Sequence, residues 1–204
     1  MVCSLEPKHQ PPGFTLIELL VAMAISSIVL SAIVATFVVQ RKSYVAQEQM
    51  SEMTQTARAA MDMIGREVRM AGYDPTRAGI VGIAYNASKL QIKADLRGGG
   101  TNDLPDGDTN DPNENITYKY YDTTHQIKRK TGRGYFQPFA ENIQAFTFAY
   151  LNSDGHITTT TADIRQIRIT ITARTSMPDP KYPGNNGYRT YTLVSLITPN
   201  NLAF

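Results

Sequence analysis

From Leu19 to Val39 the chain carries no charge, and only Ser26, Ser27, Ser31 and Thr36 interrupt Leu, Ile, Val, Ala, Met and Phe. A run of that length meets the roughly 20-residue requirement for a membrane-spanning helix. Glu18 stands immediately before it. A carboxylate at the edge of a membrane span is costly and marks a functional position.

The residues ahead of the run, Met1 to Pro12, are polar and broken by Pro7, Pro11 and Pro12, which reads as a leader or a frayed terminus. No small-residue cleavage site follows the apolar run, which ends in Val38-Val39-Gln40-Arg41-Lys42. The span therefore reads as retained. Taken literally, Arg41 and Lys42 would place the C-terminal side in the cytoplasm.

Beyond Lys42 the helical period continues. Met50, Met53, Ala57, Ala60, Met61, Ile64 and Val68 recur at steps of three and four. Arg58, Asp62 and Arg66 at i, i+4 spacing are expected to pair along a solvated face. No proline falls between Phe14 and Asp74, so the pattern predicts one helix from Phe14 to about Ala71. Gly65 is a candidate bend, and Gly72 with Asp74-Pro75 supplies the stop.

After Pro75 short β-type runs predict strands over 89–96, 116–121, 126–130, 143–151, 164–175 and 188–197. The alternation in the fifth slips near Gln166, and Asp122-Thr123-Thr124-His125 predicts a hairpin turn. Consecutive strands with short turns favour an antiparallel sheet. The expected fold is α+β: a long N-terminal helix, its first half transmembrane, with a C-terminal antiparallel sheet packed on its second half. The divisions are 1–13 leader, 14–39 membrane half of the helix, 40–72 amphipathic half, and 73–204 globular.

Function classes narrow quickly. Net charge is +2 and the basic residues read as scattered, giving no electrostatic footprint for nucleic acid. Gly132-Arg133-Gly134 reads as an ordinary glycine-rich turn. Cys3 is the one cysteine, so no intrachain disulfide can form. Motifs for a serine hydrolase, a zinc protease, a phosphate loop or a dithiol centre are missing, and His9, His125 and His156 are isolated in polar surroundings. No enzyme and no resident cofactor is expected. Asp103, Asp106, Asp108, Asp111 and Glu114 crowd one loop. They supply hard oxygen ligands of the kind calcium takes, although the spacing is not that of an EF-hand. A solvated loop kept soluble by its charges is the alternative.

The stretch Gly13-Phe14-Thr15-Leu16-Ile17-Glu18, followed by Leu19-Leu20-Val21-Ala22-Met23-Ala24-Ile25, resembles the N-terminal signature of type IV prepilins and type II secretion pseudopilins. That resemblance implies a pilin fold and a prepilin peptidase that cuts between Gly13 and Phe14 on the cytoplasmic face and methylates the new amine. The C-terminal domain would then lie in the periplasm, against the literal reading of Arg41 and Lys42. It also implies that Glu18 meets a neighbouring subunit's N-terminal amine, and that the chain's partners are major and minor pilins, an inner-membrane assembly platform and lipid. Arg66 to Tyr73, Ile143–Gly155 and Tyr191–Asn201 are similar to PilW-type minor pilins. A minor pseudopilin of a type II secretion or DNA-uptake system is the alternative, and a membrane-anchored periplasmic binding domain a third.

Overall fold

The computed structural model describes residues 13–98 and 103–202. The chain divides into two compact units, Met1–Ala46 and Gln47–Phe204. The helix α1, Leu16–Met70, begins in the first and ends in the second. In the first unit its apolar side chains, from Leu16 through Val39, are all substantially exposed. It is long and apolar enough to cross a membrane.

In the second unit α1 buries Met53, Ala57, Ala60, Met61, Ile64 and Val68, the stripe that the period predicts, while Met50 stays 42 % exposed. The expected ladder of Arg58, Asp62 and Arg66 is not formed: all three are exposed, and the ion pairs among the described residues lie elsewhere. Gly65 is no bend. It lies inside the regular helix, where an added Cβ would sit 3.4 Å from Ile197 Cδ1, so its role is close approach.

Seven strands follow: β1 Leu90–Lys93, β2 Asn115–Tyr121, β3 Gln126–Thr131, β4 Gln137–Ala140, β5 Ile143–Leu151, β6 Gln166–Arg174 and β7 Thr190–Ile197. They form two antiparallel sheets where one was expected, in the orders β1-β2-β3-β4 and β5-β6-β7. The switch falls between β4 and β5, where only Glu141 and Asn142 intervene and Asn142 takes a left-handed φ of 56°. That conformation is one Asn tolerates better than most residues. The slip near Gln166 also has a cause. Ile164 is buried, but it closes the 3-10 turn Thr161–Asp163, and strict alternation of Ile167, Ile169, Ile171 and Ala173 inward begins only with β6. The hairpin at Asp122-Thr123-Thr124-His125 is as expected, with Tyr121 opposite Gln126 and His125 at a φ of 51°.

The end of α1 is stitched into the domain. Gly72, at a φ of 76°, donates to Lys93 O at 2.9 Å, and Asp95 N donates to Tyr73 O at 2.8 Å. Asn200 N donates to Arg69 O at 3.0 Å, satisfying a carbonyl that the helix itself leaves without a partner. Thus Arg66–Tyr73 and the closing Asn200-Asn201, far apart in sequence, meet at one place. Gly82 crosses so close to Gly72 that a Cβ at Gly82 would overlap the Gly72 backbone.

Candidate functional site

Thr15 and Glu18 set how α1 begins. Thr15 O accepts from Leu19 N at 3.2 Å, the first bond of the helix. Thr15 N and Thr15 Oγ1 both donate to Glu18 Oε2 at 2.8 Å, and Glu18 N donates to Thr15 Oγ1 at 3.3 Å. This is a capping box, a Thr followed three residues later by a Glu, in which each side chain satisfies the other's backbone N–H. The Thr-x-x-Glu spacing was readable in the sequence, and the sequence reading assigned Glu18 only an intermolecular role. One oxygen does the capping. Among the described residues the other, Oε1, receives no hydrogen bond.

Gly13 and Phe14 precede the cap and belong to no element. Phe14 is 96 % exposed, and a Cβ placed on Gly13 would meet nothing within 4 Å. The fold makes no demand for glycine there.

The acidic loop does not stay together as one set of five. Asp106, Asp108 and Asp111 offer carboxylate oxygens within 4.8 Å of one another. Glu114 is buried and occupied: Leu96 N and Arg97 N donate to its Oε1 at 2.7 and 2.8 Å, and Asp111 N to its Oε2 at 3.1 Å. Asp103 is exposed and outside the trio. Burial, then the neighbouring charges of Asp106, Glu114, Asp108 and Asp103, raise the Asp111 carboxyl above its ordinary range. A carboxylate missing from the sequence reading, Asp95, is fully buried and ties the loop down by accepting from Gly107 N at 3.0 Å and Thr76 Oγ1 at 3.2 Å.

The largest departure concerns charge. Along the chain the basic residues look scattered because apolar and aromatic residues separate them. The strand period sorts them. Tyr118 and Arg129 point towards α1, where Tyr118 Oη donates to Glu67 Oε2 at 2.5 Å and Arg129 Nη2 to Glu67 Oε1 at 2.8 Å. Their neighbours Lys119, Lys128 and Lys130 therefore share the opposite face. Burial and then the Glu67 charge push the Tyr118 phenol far above its usual value. Burial works against the Arg129 guanidinium, but its bonds to Glu67 outweigh that and raise it.

Comparison with known proteins agrees at the N-terminus. Residues 12–34 match the family model of the prokaryotic N-terminal methylation motif. No curated protein matches. Among solved structures, a type IV-like pilin from Thermus thermophilus aligns at 14 % identity with a TM-score of 0.45, over 78 % of this chain and 98 % of that one. Residues 12–34 thus carry an N-terminal methylation motif, and the helix that contains most of it is long and apolar enough to cross a membrane.

Proposed function

We propose that the chain is a minor pilin, a structural subunit that takes part in starting or capping a type IV pilus after a prepilin peptidase removes residues 1–13. Residues 14–39 serve as its lipid anchor and later as its assembly segment, 40–72 as the exported half of the helix, and 73–204 as an outward domain of the PilW type in the periplasm. One observation carries this reading. Gly13 and Phe14 sit exposed and unconstrained directly ahead of a capped helix start, beside a carboxylate with one free oxygen. With no part to play in the fold, Gly13 is free to serve an external peptidase. A free Glu18 Oε1 at the edge of an apolar span is expensive to leave alone, and the ammonium group of Phe14 on an adjacent chain is a fitting partner. The role asks no chemistry of the mature chain, only shape and that contact.

The test is a pair of variants expressed in a piliated host. Gly13→Leu should remain at precursor length in the membrane with its fold intact. Glu18→Ala should be processed and yet be missing from sheared pili. Normal incorporation of the Glu18→Ala protein would refute the assembly contact.

A further inference from the structure

The four strands of the first sheet hold no Asp or Glu. Apart from Arg129, which is spent on Glu67, their charges are lysines, and all point to the face away from α1. Lys93 lies opposite Asn115 on β1, Lys119 lies directly opposite Lys128, and Lys130 follows two residues along β3. Like charges directly across a strand pair destabilise a sheet. Here the two ammonium groups lean on one ring, with Lys119 Nζ 5.3 Å and Lys128 Nζ 4.6 Å from the centre of Tyr121, while Lys130 Nζ lies 5.6 Å from that of Phe136. Among the described residues none of these lysines has a carboxylate partner. Of the carboxylates near them in sequence, Asp95 and Glu114 are buried and accept from backbone amides, Asp122 lies in a turn, and Glu141 is engaged by Gln126. The ring contacts offset only part of that repulsion, and a polyanion would supply the missing counter-charge.

At the rim of the same sheet, the turn between β3 and β4 presents Arg133, exposed, and Tyr135, 89 % exposed. An exposed ring in the turn that follows Lys128 and Lys130 along the chain supplies the second half of the pairing that single-stranded nucleic acid recognises, base stacking together with phosphate neutralisation. The spacing fits as well. Lys128 and Lys130 stand about 6.6 Å apart along the strand, a step comparable to that between successive phosphates of an extended single strand. A duplex hides its base faces and an acidic polysaccharide has none, so an exposed Tyr135 favours the single strand.

We propose that the solvent face of the β1–β4 sheet binds single-stranded nucleic acid, with Lys93, Lys119, Lys128 and Lys130 neutralising phosphates and Tyr135 stacking on a base. This surface is independent of the pilin-like reading of the N-terminus.

The test is fluorescence anisotropy of labelled oligothymidylate with the full chain in a non-ionic detergent. Binding should weaken with salt along a log–log slope of about −3, the value for roughly four neutralised phosphates on a single strand. Lys119→Glu with Lys128→Glu should weaken binding about tenfold or more, while Arg58→Glu with Lys181→Glu, an equal charge change at exposed positions off the sheet, should leave it unchanged. Tyr135→Ala, at a site too exposed to disturb folding, should weaken binding of the single strand about fivefold or more and leave that of heparin and duplex DNA unaltered. Absence of binding at low salt would overturn the proposal. So would an affinity insensitive to Tyr135→Ala, which would mark a site for charge alone, or full affinity in the double lysine variant when its melting curve matches the wild type.

Discussion

Arg129 on β3 grips the carboxylate of Glu67 on α1 through two hydrogen bonds, Nη2 at 2.8 Å and Nε at 3.2 Å, across 62 residues of sequence. Tyr118 of the neighbouring strand closes the cluster from the other side. The pair fixes the rotation of the helix against the first sheet, because only one face of α1 offers an acceptor there. Replacing Arg129 by Met should strand the buried Glu67 and cost about 2–3 kcal/mol, short of a fully buried pair because Arg129 keeps 19 % of its side chain exposed. Adding Glu67→Met should recover part of that loss. Denaturant unfolding of the two single variants and the double variant checks this; additive losses would deny the coupling.

Thr15→Ala removes both bonds of Thr15 Oγ1, the one it donates to Glu18 Oε2 at 2.8 Å and the one it accepts from Glu18 N at 3.3 Å, and should cost the start of α1 about 1 kcal/mol. The expected sign is faster hydrogen exchange at the amide of Glu18, which has lost its Thr15 Oγ1 acceptor. Unchanged exchange at that amide would mean that the capping box does not hold in lipid or detergent.

Gly82→Ala forces a methyl group into the backbone of Gly72 and should destabilise the domain by about 3 kcal/mol. Gly79→Ala is a milder comparison, since open space surrounds that position and only its φ of 85° is strained. The order of their melting midpoints checks the crossing.

The Asp111 carboxyl is raised in the folded chain by burial and by its acidic neighbours, so folding takes up a proton there as pH falls. Its charged form therefore opposes folding at neutral pH, and the penalty fades once pH drops below the ordinary carboxylate value. Asp111→Asn should raise the melting midpoint at pH 7 in the presence of a chelator and give no gain near pH 3. A divalent cation seated on Asp106, Asp108 and Asp111 would reverse the sign at pH 7, so repeating the melts with calcium chloride separates a solvated acidic loop from a cation site.

Much of this architecture was legible in the sequence, for local reasons. The helix could be read because its 3.6 period runs unbroken by proline to Gly72, and β5, β6 and β7 because Ile, Phe and Thr alternate with few charges. The strand β4 was missed because it is four residues long with Pro138 inside it, tolerable only because it lies at a sheet edge. The division into two sheets was hidden because strand pairing is long-range, and a two-residue link looks like any hairpin. Glu67 was legible in principle, since it interrupts an otherwise apolar stripe between Ile64 and Ala71. The lysine face was not: it depends on the register between β2 and β3, which sets Lys119 beside Lys128.

The central claim is that the chain is read at Gly13-Phe14 from outside its own fold. The most direct measurement is the intact mass and N-terminal residue of the protein purified from a host with an active prepilin peptidase. The account predicts a chain beginning at Phe14 with one methyl group on its amine. A chain that keeps residues 1–13, or begins at any residue other than Phe14, would contradict it.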